Sequence, residues 1–274
     1  MSNVQRLPVV KSLYTYRSNA TTFRVRSIGI SESVNGPGRR VVVHFQGCDL
    51  ACPGCFNPHL WSTKARAGVK GYSLVELTAI ILTLYDKEDC TGVTLTGGEP
   101  FQQGATLLLD LIQQLLRPTT KVLDLLPEEM KRRHFITPSI TLFSGYTYAE
   151  LLLHLRKEDK SVLLMEVDIL ISGRYEQFNP ALAGDKSFAS SDNQEVSRGR
   201  YSEYEKRDLE RAFDLDLIVD HAGETVMMGF PQEVLVSKMA QMAGIRQRAR
   251  ARSGHPDEVT LANLALPNSN KRTL

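Results

Sequence analysis

Cys48, Cys52 and Cys55 stand at C-x3-C-x2-C, in a loop that directly follows the apolar run Val41–Phe45. A short apolar strand that ends in three thiols must present them together at one end of a sheet. Three thiolates are one ligand short of closing a four-iron cube. A cluster held this way keeps one iron open for a substrate or cosubstrate, as catalytic metal sites do. The residues alone leave two other readings open. His59 lies four positions past Cys55, so a Cys3His zinc site is possible. Cys52-Pro53-Gly54-Cys55 also has the C-x-x-C spacing of a thiol redox pair.

The rest of the chain repeats strand, loop and helix. Phe23–Ile30 alternates apolar with polar residues, and Asn35-Gly36-Pro37-Gly38 is a turn. Leu74–Leu84 has apolar residues at helical spacing, with Ser73 and Glu76 as a capping box. Gly92–Thr96 reads as a strand running into Gly97-Gly98-Glu99-Pro100, and Gly104–Leu116 as a leucine-rich helix. Ile140–Phe143 is a strand that ends at Ser144-Gly145-Tyr146, Thr147–Leu155 is helical, and Val167–Ile171 is a further buried strand. This order predicts an α/β fold with a parallel sheet, in which ligands gather at the C-terminal strand ends.

With 274 residues, 42% hydrophobic, the composition suits one globular domain of about residues 24–234. Residues 1–23 form an N-terminal arm, about 117–138 an insertion, and 235–274 a basic, partly disordered extension. A net charge of +2 argues against nucleic acid as a partner. No stretch approaches the length of a membrane span. Four cysteines, three of them clustered, point to metal chemistry in a reducing cytoplasm rather than to a disulfide framework.

Taken in order, Ser33-Val34-Asn35-Gly36-Pro37-Gly38, Phe45-Gln46-Gly47-Cys48 and Cys52-Pro53-Gly54-Cys55-Phe56-Asn57 resemble the radical S-adenosylmethionine enzymes. Thr96 to Pro100, Leu142 to Tyr146, Val167 to Arg174 and Ser190-Ser191-Asp192-Asn193-Gln194 are similar to segments of the glycyl-radical-enzyme activases, in particular those of anaerobic ribonucleotide reductase. Asp192 is an insertion in the last of these motifs, and Ser172 and Arg174 replace the Asp and Lys often found in relatives.

The resemblance implies a partial (β/α) barrel. It further implies a [4Fe–4S] cluster on Cys48, Cys52 and Cys55, with S-adenosylmethionine on the fourth iron. Cofactor contacts are expected from Phe56, Gly97, Gly98, Glu99, Pro100, Ser144, Asp168 and Arg174, with no catalytic side chain beyond the cluster and its bound cosubstrate. The implied reaction installs a glycyl radical on a partner protein, with flavodoxin or ferredoxin as electron donor. Two alternatives share the cysteine loop: a radical enzyme acting on a small molecule or nucleoside, of the deazapurine-synthesis type, and a cluster protein that has become a sensor or binding module.

Overall fold

The computed structural model describes residues 12–199, apart from 18, 33, 65–67, 133–136, 180 and 182–187, together with two strands at 215–219 and 225–229. The basic extension expected at 235–274 and the first part of the expected N-terminal arm lie outside the described residues.

Seven strands form one sheet: β1 Thr22–Ser31, β2 Arg40–Phe45, β3 Lys70–Ser73, β4 Gly92–Gly97, β5 Ser139–Ser144, β6 Ile169–Ser172 and β7 Glu195–Arg198. Their order is β3-β1-β2-β4-β5-β6-β7. The inner pairs β2–β4, β4–β5 and β5–β6 are parallel, while β3–β1, β1–β2 and β6–β7 are antiparallel. The α/β class and the parallel core agree with expectation. Among the described residues the sheet is open, since its end strands β3 and β7 do not pair with each other. A separate hairpin pairs β8 (Leu215–Val219) with β9 (Thr225–Gly229).

Six helices connect these strands: α1 Leu74–Lys87, α2 Ala105–Leu116, α3 Thr120–Leu125, α4 Glu128–Lys131, α5 Tyr148–His154 and α6 Lys157–Glu166. Two helix starts are chemically marked. Ser73 and Glu76 cap α1 reciprocally, and Thr147 and Glu150 do the same for α5. The span expected as an insertion holds α3 and α4, and Val122 of α3 is buried in the core.

Alternation along the strands divides the residues between two faces. Val41, Val43 and Phe45 of β2, Leu95 of β4, and Leu142 and Leu170 pack with α1 and α2 through Leu77, Ile81, Leu108, Leu111 and Ile112. Each such buried aliphatic side chain contributes roughly 1.5–3 kcal/mol. The opposite face is more polar: Thr94 and Thr141 are buried there, while Ile169 and Ile171 join a small cluster with Phe188.

Arg40 locks the N-terminal ends of the parallel strands. Its guanidinium is fully buried and donates to Thr94 Oγ1 (2.8 Å), Pro37 O (3.0 Å), Val93 O (2.9 Å) and Ser139 O (2.8 Å). Gly92 leaves room for it, since a Cβ there would stand 2.4 Å from an Arg40 nitrogen. With that end clamped shut, the C-terminal ends of β2, β4, β5 and β6 remain to form a site.

Candidate active site

Four consecutive parallel strands deliver four loops side by side. β2 leads into the cysteine loop, β4 into Gly98-Glu99, β5 into Gly145-Tyr146, and β6 into Gly173-Arg174-Tyr175. Between them lies an open cavity bordered by all four loops. All three clustered cysteines line it, as do Phe56, Gly97, Gly98, Glu99 and Ser144.

The loops are stitched together by backbone. Gly98 N donates to Phe45 O at 2.8 Å, and Glu99 N to Gly47 O at 2.9 Å. Cys48 N donates to Trp61 O at 3.1 Å. These bonds explain the paired glycines. Gly97 has φ +105°, and a Cβ there would lie 2.5 Å from Phe45 N; one on Gly98 would lie 2.5 Å from Gly47 O. Both residues line the cavity, yet what forbids a side chain is backbone, that of β2 at Gly97 and that of the cysteine loop at Gly98.

Glu99 is 1% exposed and holds the neighbouring loop. Its Oε1 accepts from Phe101 N at 3.1 Å and from the Ser144 hydroxyl at 3.0 Å, and its Oε2 accepts from Gly145 N at 2.7 Å. Burial pushes its carboxyl up to about 7, against the opposing pull of those donors and of Arg174.

Burial also pushes the Cys48 thiol up to about 12, with the Glu99 charge adding to it, and raises Cys52. Such thiols give up their protons to a metal rather than to water. Backbone amides are already aimed at the sulfurs. Asn57 N lies 3.4 Å from Cys55 Sγ, the Leu50 amide serves Cys48 and the Tyr175 amide serves Cys52.

Three expected contacts are not brought to the cavity lining. Pro100 is buried and opens a short 3-10 turn, Pro100–Gln103. Asp168 precedes β6 and so stands at the far end of the strand, where its carboxylate accepts from Ile140 N at 2.7 Å. The reason is register: β6 runs from Ile169 to Ser172, so only residues beyond Ser172 reach the site. Arg174 turns to another helix, pairing with Glu150 at 2.7 Å and lying 5.1 Å from the centroid of the Tyr146 ring. Ser172 is buried, its hydroxyl without a hydrogen-bond partner among the described residues.

Other residues join the site beyond the expected cofactor contacts. Tyr175 packs on Phe56 with ring centroids 4.9 Å apart, and Trp61, the chain's one tryptophan, lines the cavity. Gln194 fixes the loop after β6: its Oε1 accepts from Ser190 N at 2.7 Å and its Nε2 donates to Gly173 O at 2.9 Å. Gln102 accepts from Asp49 N at 3.0 Å and donates to Tyr146 Oη at 3.0 Å, tying the cysteine loop to β5. Both glutamines carry a signal in the sequence, because Gln102 lies just past Pro100 and Gln194 ends the Ser190–Gln194 segment.

The zinc alternative lacks its fourth ligand. His59 is exposed and stands outside the cavity lining, and among the described residues no three His, Cys, Asp or Glu side chains converge on a single ion. A four-iron cube makes a different demand, since each thiolate binds its own corner.

A family model described as a 4Fe-4S single cluster domain matches residues 34–197. The chain belongs to that family. Within it the chain falls among the radical S-adenosylmethionine glycyl-radical activases. The anaerobic ribonucleoside-triphosphate reductase-activating protein of Vibrio cholerae is 30% identical over 169 residues, 60% of this chain and 91% of its own length. Its counterpart in Enterobacteria phage T4 is 27% identical over 164 residues, 60% of this chain and 86% of its own. The pyruvate formate-lyase-activating enzyme of Clostridium pasteurianum is 39% identical over a shorter stretch, 33% of this chain and 37% of its own. A solved structure, QueE from Escherichia coli, aligns over 50% of this chain and 58% of that one at 16% identity with a TM-score of 0.28, a likeness that carries no weight for function.

The cofactors of this radical-activase family are a [4Fe–4S] cluster and S-adenosylmethionine. The site fits them: three thiols and their backbone donors open on one cavity beside glycine-lined loops. Among the described residues no helix is long and apolar enough to cross a membrane.

Proposed function

We propose that this chain generates a glycyl radical on a partner protein, and that the partner is an anaerobic ribonucleotide reductase. The observation that supports this is the single cavity shared by Cys48, Cys52, Cys55 and the loops after β4, β5 and β6. The identity of the partner rests on the names of the Vibrio and phage relatives.

Cys48, Cys52 and Cys55 would hold the cluster and leave it one open position for S-adenosylmethionine. When bound, these cofactors would supply one-electron reductive cleavage of S-adenosylmethionine and the removal of a hydrogen atom from the acceptor glycine. The residues bind, orient and exclude water. Backbone at Gly98 and Gly145 borders the cavity without side chains, so a ligand lies directly against the chain. Glu99 sits on its floor as an acceptor for a ligand ammonium, already oriented by its three donors. Phe56 and Tyr175 form an aromatic wall that screens the cysteine loop from solvent. Flavodoxin or ferredoxin would supply the electron.

The test is anaerobic incubation of the reconstituted protein with S-adenosylmethionine, reduced flavodoxin and the reductase from the same source, read by electron paramagnetic resonance. A glycine-centred doublet on the reductase is the expected result. Release of 5′-deoxyadenosine with no radical on the reductase would overturn the choice of partner.

A further inference from the structure

The Ser190–Gln194 segment, which the proposed reaction leaves without a role, is a clasp for the loop after β6. Four of its residues each hold one backbone group of that loop. Gln194 Nε2 donates to Gly173 O at 2.9 Å, and Asn193 Nδ2 donates to Arg174 O at 2.8 Å. Ser191 Oγ accepts from Glu176 N at 3.1 Å, and Asp192 N donates to Asn179 O at 2.8 Å. The clasp is itself braced, since Gln194 Oε1 accepts from the Ser190 and Ser191 amides at 2.7 and 3.2 Å. From the other side, the ion pair of Arg174 with Glu150 at 2.7 Å anchors the same loop to α5.

Between the gripped positions the loop turns to the thiols. The Tyr175 ring packs on Phe56 with centroids 4.9 Å apart, and the Tyr175 amide serves Cys52. The Gln177 side chain lies on Gly54, between Cys52 and Cys55, where a Cβ on the glycine would run into it. Gly173, Tyr175, Ser190 and Gln194 border the cavity together with the three cysteines. The loop is thus a strap laid across one flank of the cysteine loop, and the clasp is what fastens it there.

A strap in this place changes the surroundings of the thiolates. The potential of an iron–sulfur cluster follows its net charge, the hydrogen bonds to its sulfurs and its exposure to water. Three thiolates leave such a cluster negatively charged, and reduction adds to that charge. Keeping water away therefore opposes reduction, whereas the single amide at Cys52 favours it. Desolvation of a charge costs more than one hydrogen bond returns, so the cover outweighs the amide.

We infer that the Ser190–Gln194 clasp holds Tyr175 and Gln177 against the cysteine loop, keeps water from its thiolates and so lowers the reduction potential of the cluster. Ser191, Asn193 and Gln194 are positioning residues in this role, and Tyr175 is the cover they position. The inference rests on the function proposed above, which needs a strongly reducing cluster to break a sulfonium bond. In the couple concerned the cluster gains one electron from the titrant; no bond is made or broken and no proton is transferred.

The experiment is a redox titration of the reconstituted protein without S-adenosylmethionine, read by the electron paramagnetic resonance of the reduced cluster. Ser191→Ala/Asn193→Ala frees the strap at Glu176 and Arg174 while Gln194 keeps its bonds, and Tyr175→Ala removes the ring but not the amide. In both, the ratio of reduced to oxidised cluster at the parent midpoint is expected to rise roughly 10-fold, a shift of about 59 mV to higher potential. Tyr175→Phe, which keeps the ring, is expected to titrate at the parent midpoint, as is Phe178→Ala at an exposed position on the same strap. A parent midpoint in Tyr175→Ala would overturn the inference, and so would an equal rise in Tyr175→Phe. A rise in Tyr175→Ala alone, with none in the clasp variant, would overturn the role of the clasp. If the double variant binds no iron, Gln194→Glu, which puts an acceptor against Gly173 O, takes its place in the same titration. If the parent chain releases no 5′-deoxyadenosine with dithionite, the proposed function fails, and the midpoints still decide the strap.

Discussion

The Ser144 hydroxyl donates to the buried carboxylate of Glu99 at 3.0 Å, which fastens the loop after β5 to the loop after β4. Together with the Gly145 and Phe101 amides, this makes Glu99 the junction on which the cavity floor is built. Glu99→Ala strands three donors in a buried site. It is expected to lower the unfolding free energy of the cluster-free protein by about 3 kcal/mol, read from urea denaturation. A loss under about 1 kcal/mol would show that these donors find other partners.

Gly98 separates packing from ligand space. A Cβ there meets the Gly47 carbonyl oxygen at 2.5 Å, and neither backbone has room to retreat. Gly98→Ala is expected to cost roughly 1–3 kcal/mol and to lower the iron bound per chain, because the cysteine loop must move. Gly71→Ala is the control, since nothing lies within 4 Å of a Cβ at that position. Equal iron content in both variants would contradict the proposed coupling between the loops.

Two groups that the protein interior shifts oppose each other in pH. Burial pushes His44 down from 6.5 to about 4 and Glu99 up from 4.5 to about 7. The depressed histidine contributes stability that is full above pH 6.5 and is lost as pH falls toward 4. The raised carboxyl contributes stability that is full below pH 4.5 and is lost as pH rises toward 7. Each slope is about 1.4 kcal/mol per pH unit at most, and they nearly cancel between about pH 4.5 and 6.5. Relative to the parent chain, His44→Gln should therefore tilt the stability profile downward with rising pH, and Glu99→Gln upward. Urea denaturation of the cluster-free protein across that range reads both tilts, and parallel profiles for all three proteins would contradict the assignment.

Gln102 bridges Asp49 beside Cys48 to the Tyr146 hydroxyl. Gln102→Leu keeps volume near the original but breaks both links. Expected is a chain that still folds cooperatively yet assembles its cluster several-fold more slowly from iron and sulfide. Normal assembly would show that the Gly47 and Trp61 backbone bonds hold the loop unaided.

Much of this site is legible in the sequence where chemistry is local. The cysteine loop, Gly97-Gly98-Glu99 and Ser144 all follow apolar strands, and parallel strands put such loops on one edge. Ser73 with Glu76 marks a helix start in the same local way. Legibility ends where partners are distant in the chain. Arg174 is 24 positions from Glu150, so its ion pair across to α5 leaves no trace in either segment. Asp168 departs from expectation because it precedes β6, at the end of the strand opposite the site, and the expected strand Val167–Ile171 already puts it at that end. Strand β7, Glu195–Arg198, is short and polar and has no alternation to reveal it. Nothing local marks Arg40 as buried, and only the meeting of three strand ends encloses it.

The most direct test of the central reading is reductive cleavage of S-adenosylmethionine by the protein reconstituted anaerobically with iron and sulfide and reduced with dithionite. The parent chain is expected to release 5′-deoxyadenosine, and Cys48→Ala, Cys52→Ala and Cys55→Ala each to release none, while Cys90→Ala, which alters a buried thiol outside the cavity, keeps the parent rate. A fully assembled cluster that releases no 5′-deoxyadenosine, or release that survives loss of any one of the three cavity thiols, would contradict it.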